Sequence, residues 1–199
     1  MNEIITLGID QLLYSKFKTH NECDDELYYY LNKPSGCLWG STYTPEDKYV
    51  SDWERFADRE CFASYDHGVL YTLNNSARIY TINTLHDWIT LLEKYPLPDP
   101  IHNRHINLYF GCKVYLNFPL LIKDYDVIHL TKEGSAMLHL LWGNVPEISV
   151  DGKMYKISDL NAWDVESWLI MNFHAIDLDS CRIWKRDESK SVETVTESH

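Results

Sequence analysis

The chain has 199 residues, 45% of them hydrophobic, with 30 acidic side chains against 18 Lys and Arg and a net charge of -12. That length suits one domain, and that apolar content is enough to bury a core, so disorder is not the expectation. The acidic balance disfavours non-specific nucleic-acid binding and anionic membrane surfaces. No apolar run approaches the roughly 18 to 20 residues of a membrane span.

In chain order, Glu3 to Gly8 reads as a strand, Asp10 to Lys18 as a helix, and Asp24 to Leu31 as a short helical or irregular stretch. Pro34 and Gly36 mark a turn before a strand from Cys37 to Tyr43. Ser51 and Glu54 fit a capping box for a helix to about Phe62, with Trp53, Phe56 and Ala57 inward. Val69 to Leu73 and Arg78 to Ile82 read as a hairpin around Asn74-Asn75-Ser76. Thr84 and Asp87 open a second capped helix to about Tyr95, with Leu85, Trp88, Leu91 and Leu92 at helical spacing.

Three prolines between Pro96 and Pro100 stop that helix, and residues 101–118 carry no clear pattern. Asp126 to Leu130 is a buried strand, followed by a helix from Thr131 to Gly143. Asp151-Gly152 between two alternating runs is the strongest hairpin signal. Trp168 to Phe173 is the last core strand, and residues 185–199, almost without apolar side chains, form a disordered tail. Helices and hairpins interleave without a repeat. The expected fold is α+β, a single domain over 1–184 with a twisted, largely antiparallel sheet and flanking helices.

The five cysteines are widely spaced and never C-x-x-C, which argues against a disulfide framework or zinc ribbon. With no cationic, apolar leader at Met1 to Asp10, a cytoplasmic location is expected. No G-x-G-x-x-G, phosphate-loop or G-x-S-x-G motif occurs.

Two segments carry candidate chemistry. In Trp39-Gly40-Ser41-Thr42-Tyr43, adjacent hydroxyls beside a small residue let a ligand approach the backbone, and Trp39 or Tyr43 offers a ring for stacking. The plain alternative is a pair of loop hydroxyls satisfying backbone groups before Pro45. In Trp163-Asp164-Val165-Glu166-Ser167-Trp168, carboxylates at i and i+2 face one side if the backbone is extended, and the indoles could tune their pKa values. The alternative is two solvated acids.

Asp124 and Asp126 form a further pair that could hold Mg²⁺, or simply be turn residues. His102 and His105 read as loop residues, His129 and His139 as core-edge residues, and Cys37 lacks a visible histidine partner.

Trp39-Gly40-Ser41-Thr42 resembles the aromatic-x-Ser-Thr strand motif of mono-ADP-ribosyltransferases, and Asp164-x-Glu166 resembles the later strand with their catalytic glutamate. The resemblance covers about a dozen residues. It implies NAD as substrate and a protein or nucleic-acid acceptor. It places Ser41 and Thr42 on the nicotinamide ribose, Trp39 or Tyr43 on the nicotinamide, Lys33 on the diphosphate, and Glu166 and Asp164 in catalysis. The sequence departs from the family in three places: Glu3 to Gly8 lacks the first-strand Arg or His, Tyr43 stands where Ser is usual, and Asp164 stands where Glu or Gln is usual. Lys33 to Trp39 and Trp163 to Ser167 are also similar to pieces of phage and bacterial proteins. Two other readings stay open. One is a non-catalytic interaction protein, such as a phage-encoded inhibitor or antitoxin-like partner, anchored by aromatics. The other is a metal-dependent phosphodiesterase using Asp124, Asp126, Asp164 and Glu166.

Overall fold

A computed structural model describes residues 2–14, 17, 32–34, 36–45, 48–62, 65–98, 113–138, 145–160 and 163–186. Its strands are β1 (Ile4–Leu7), β2 (Leu38–Thr42), β3 (His67–Leu73), β4 (Ile79–Ile82), β5 (Pro96–Pro98), β6 (Lys113–Leu116), β7 (Val127–Leu130), β8 (Glu147–Val150), β9 (Lys153–Ile157), β10 (Ser167–Ile170) and β11 (Ile176–Lys185). The helices are α1 (Asp52–Arg59), α2 (Leu85–Lys94), α3 (Phe118–Leu121) and α4 (Lys132–Leu138). The fold is α+β, with two mostly antiparallel sheets rather than one. A seven-stranded sheet runs β11-β3-β1-β2-β10-β7-β4, and a four-stranded sheet runs β5-β6-β9-β8. Among the described residues, only β4–β7 and β6–β9 pair in parallel.

The large sheet is apolar on both faces because each face meets its own cluster. Ile128, Leu130 and Leu169 pack with Trp88, Leu91 and Leu92 of α2 and with Val114, Leu116, Ile148 and Ile157 of the small sheet. On the other face, Ile4, Tyr71, Leu73, Val127, Trp168, Ile170 and Phe173 form a second cluster. Strand β2 alternates between them, with Leu38 against the second and Trp39 against the first. Ile5, Leu70 and Trp184 make a smaller third cluster, on which Tyr43 packs.

Val69 to Leu73 and Arg78 to Ile82 do form strands, but not a hairpin. β3 pairs with β1 and β11, and β4 lies at the far edge beside β7. Asn74 replaces the hairpin turn. Its amide nitrogen donates to the carbonyls of His174 and Ile176, and its backbone N–H donates to Ala175 O, so the chain leaves β3 towards β11. Five strand positions separate β3 from β4, about 24 Å in a flat sheet at about 4.8 Å per position. The six Cα steps from Leu73 to Ile79 reach at most about 21 Å. The large sheet must therefore curl, and it curls around the second cluster, which Leu73 and Val127 share.

Both caps form. Ser51 Oγ accepts from Glu54 N, and Thr84 with Asp87 makes a reciprocal capping box. In α1, however, Glu54 and Ala57 are the buried residues, while Trp53 and Phe56 are half-buried and pack on each other. Glu54 Oε2 accepts from Val50 N, and its other oxygen pairs with Arg186 beyond β11. The Asp151-Gly152 hairpin has positive φ at both turn residues and joins β8 to β9 as expected.

Three strands go beyond the sequence reading. β5 and β6 pair where only a helix stop and an unpatterned stretch were expected. β11 follows Trp168 to Phe173, so that segment is not the last strand, and its pairing with β3 shifts register between Asp177 and Arg182. Phe17 N bonds back to Leu13 O, but no helix runs through 10–14. The tail expected from 185 does not begin there, because β11 runs to Lys185 and Arg186 N donates to Asp66 O; residues 24–31, 101–112, 139–144 and 187–199 lie outside the described residues. Among the described residues, no helix is long and apolar enough to cross a membrane.

Candidate functional site

The two motif segments lie on neighbouring strands of the large sheet, β2 and β10. β2 and β10 pair antiparallel with Gly40 opposite Trp168 and Trp39 opposite Leu169. Continuing that register by two residues sets Thr42 opposite Glu166, just before β10. On the other side of β10, β7 pairs His129 with Trp168. Three strands thus deliver Ser41, Thr42, Glu166, His129 and Trp168 to one place.

The Glu166 carboxylate is only 4% exposed and is held from both sides. Ser41 Oγ donates to Oε2 at 2.7 Å and Thr42 N donates to the same oxygen at 2.9 Å. Thr42 Oγ1 donates to Oε1 at 2.8 Å, and His129 Nε2 lies 2.9 Å from Oε1. An ionised carboxylate only accepts, so His129 carries its hydrogen on Nε2. Burial pushes the Glu166 carboxyl up, but the donors from His129, Ser41 and Thr42 outweigh it and hold the group below the ordinary carboxylate range. The result is a buried carboxylate biased towards its ionised form. Trp168 Nε1 donates to Thr42 Oγ1 at 2.9 Å, which leaves the Thr42 hydroxyl hydrogen for Glu166. The indole of Trp168 also stacks on His129, with centroids 3.7 Å apart and planes at 9°.

A cavity of about 340 Å³ opens beside Ser41. The described lining comprises β1 from Ile5 to Leu7, β2 from Trp39 to Ser41, three indoles (Trp39, Trp53 and Trp163), Ser167 and Lys33. It lies where β1 and β2 separate: their ladder covers Ile4 with Thr42 and Ile5 with Ser41. Beyond that, the Thr6 hydroxyl donates to the Trp39 carbonyl at 2.9 Å. Gly40 is required here, because a Cβ would fall 2.5 Å from Ile4 Cγ2 and 2.8 Å from the Tyr71 hydroxyl.

The wall of the cavity is pinned by a residue the sequence reading passed over. Asn32 is fully buried with φ 49. Its side chain accepts from Leu116 N and donates to Ser158 Oγ and Asp159 O, while its carbonyl accepts from Trp163 Nε1 at 2.8 Å. Trp163, 2% exposed, then meets Trp39 edge-on at 4.8 Å. Lys33 Nζ sits 5.3 Å from the centre of the Trp39 ring.

Other expected residues are placed differently. Asp164 is not on extended backbone. Its φ is 55, and Val165 N bonds back to Trp163 O in a tight turn. The alternation argument that set Asp164 and Glu166 on one face therefore does not hold. Tyr43 packs on the Ile5, Leu70 and Trp184 cluster rather than among the described cavity residues.

Asp126 lies at the opposite end of β7 and β10 from Glu166, because Val127 pairs with Ile170 and Leu130 with Ser167. Arg78 binds Asp126 through two nitrogens, at 3.0 and 2.8 Å, and holds its carboxyl down to about 2. Lys94 and Tyr95 hold Asp124. Asp124 and Asp126 therefore cannot share one metal with Asp164 and Glu166, and no group of three or more His, Cys, Asp or Glu among the described residues could hold one. His102, His105 and His139 lie outside the described residues. His129, read as a core-edge residue, is instead bonded to the buried carboxylate. The available signal was a histidine inside the apolar run Val127 to Leu130.

Fold and site together define an α+β protein with a buried, ionised glutamate beside an indole-walled cavity. No protein-family model, curated protein or solved structure matches the chain.

Proposed function

We propose that the chain is an NAD-dependent mono-ADP-ribosyltransferase-like enzyme acting on a protein or nucleic-acid acceptor. The observation that carries this reading is the convergence of Ser41, Thr42 and Glu166. They are 125 or fewer residues apart in sequence and directly hydrogen-bonded in space. The cavity alongside supports it, since its described lining includes Trp39, Ser41 and Lys33.

In this reading Trp39 stacks on the nicotinamide ring and Lys33 meets the diphosphate as a point charge. The bond between nicotinamide and the ribose C1 carbon breaks, and its electron pair leaves with nicotinamide. Positive charge then grows on the ribose, and the fixed negative charge of Glu166 stabilises it in a water-poor setting. The acceptor's nucleophile bonds to C1 and loses its proton; the resemblance assigns the base to Asp164, which sits in the turn between Trp163 and Val165 rather than on the strand face of Glu166. Glu166 already accepts from four protein donors. Glu166 is not itself among the described lining residues, so a ribose hydroxyl binds it by displacing one of those donors, and Ser41, which does line the cavity, is the donor that yields.

The interaction-protein reading expects Trp39 and Trp163 packed solidly, with no cavity beside Glu166. The two rings do meet edge-on and Trp163 is buried, but both also line the cavity that reaches Ser41, the hydrogen-bond partner of Glu166, and that cavity weighs against it. The deciding experiment incubates the protein with labelled NAD and cell lysate, scoring nicotinamide release and label transfer. Consumption that disappears in Glu166→Gln is expected. If NAD neither binds at millimolar concentration nor is consumed, the transferase reading is wrong.

A further inference from the structure

We infer that His129 is a positioning residue whose Nε2–H fixes the charge and aim of the Glu166 carboxylate. This rests on the reading of Glu166 as the working anion of the site. The two carboxylate oxygens are held by different means. Oε2 is bonded by Ser41 Oγ and Thr42 N, both from β2. Oε1 is bonded by Thr42 Oγ1 and by His129 from β7. If Ser41 yields to a ligand, Oε2 loosens, and the Oε1 donors must keep the group in place.

His129 suits that task because its ring cannot swing freely. It lies 3.7 Å from the parallel Trp168 indole, and the indole nitrogen is bonded to Thr42 Oγ1. Glu166, His129, Trp168 and Thr42 thus form a closed loop across three strands. His129 is also the one titratable side chain among these donors, since Ser41 and Thr42 are uncharged. Its side chain is 14% exposed and bonds Glu166 on Oε1, the oxygen away from Ser41, the donor that lines the cavity, so it acts on the site through the carboxylate.

Two variants separate the donor from the ring stack. His129→Phe keeps a flat ring against Trp168 and removes the N–H. His129→Gln keeps an N–H donor and removes the stack. The first readout, independent of turnover, follows the Glu166 side-chain carbon by NMR during a pH titration, assigned with Glu166→Gln. The midpoint is expected to rise in His129→Phe and to return towards that of the unmodified protein in His129→Gln. The second readout is NAD consumption: kcat should fall about ten- to a hundred-fold in His129→Phe, with KM changing less, and recover substantially in His129→Gln.

An unchanged Glu166 midpoint in His129→Phe overturns the inference, as does a kcat loss that follows thermal stability equally in both variants. If NAD is not consumed at all but the Glu166 midpoint still rises in His129→Phe and recovers in His129→Gln, the transferase reading fails while the assignment of His129 stands.

Discussion

At the residue scale, Glu166 shows how four hydrogen bonds keep a buried acid ionised. Desolvation favours the neutral acid, yet the net displacement is downward because every lone-pair direction meets a donor. Replacing it with Gln keeps the shape, removes the charge and points an NH₂ at donors that need an acceptor. Turnover of NAD should fall about two to three orders of magnitude in Glu166→Gln, as for loss of a preorganised electrostatic group. Stability should fall by about 1–3 kcal/mol from the mismatched donors, read by denaturant titration. Asn32 matters in another way. Asn32→Ala leaves Leu116 N without its acceptor and removes three side-chain bonds at a fully buried position, while the bond from Trp163 Nε1 to the backbone carbonyl stays. The hydroxyl pair and the glutamate were legible as residue types with a chemical use. Asn32 and His129 were not, because their value lies in partners 84 or more and 37 residues away, respectively.

At the scale of elements, local signals succeeded wherever the interaction is local. The caps at Ser51 and Thr84 and the Asp151-Gly152 turn are fixed by neighbours within four residues, and all three form. Strands whose partners are distant were missed. β5 is proline-rich and survives as an edge strand, where a missing N–H costs little. β11 hides its alternation behind Asp177 and Asp179 and a register shift. Helix α4 gives a prediction in which propensity and packing disagree. Alanine at Gly134 should gain roughly 1 kcal/mol of helix propensity. Its Cβ, however, would sit 2.2 Å from the Ile82 carbonyl oxygen, a backbone atom of β4 that cannot move away cheaply. Overpacking of this kind commonly costs about 1–3 kcal/mol or more, so Gly134→Ala is expected to lower the thermal midpoint. A rise would show that α4 can slide off β4.

The same scale carries the acid response. Asp126 joins β4, β7 and the end of β10 by accepting from Arg78 N, Arg78 Nη2 and Asn172 Nδ2. Arg78 lowers its carboxyl from 3.8 to about 2. A depressed folded-state value means the stabilisation is present above the unfolded value and is lost as pH falls through the folded one. Stability should therefore decline between about pH 4 and pH 2, with Glu166 contributing in the same direction. Asp126→Asn should be less stable at neutral pH and show a flatter decline across that window, measured by urea midpoints at a series of pH values.

At the scale of the whole molecule, the sequence disclosed an α+β class but not that the strands divide between two sheets or that the larger one curls. Both depend on pairings such as β1 with β3 and β2 with β10, whose registers are set by burial on both faces rather than by turns. The curl lets the chain pass from Asn74, at the end of β3, to β4 at the far edge. The parting of β1 from β2 leaves the cavity between the clusters and the three indoles. A ligand that occupies this space adds binding energy to the folded state alone. At a hundred times its Kd it raises the unfolding free energy by about 2.7 kcal/mol, which for a chain of this size moves the thermal midpoint by roughly 5–10 °C. NAD should produce that shift together with a change in tryptophan emission, because Trp39, Trp53 and Trp163 all face the cavity. Trp39→Ala should abolish most of both signals by removing the stacking surface, whereas Tyr43→Phe, on the neighbouring cluster, should leave them in place. An NAD-induced shift that survives Trp39→Ala would place the ligand elsewhere on the molecule.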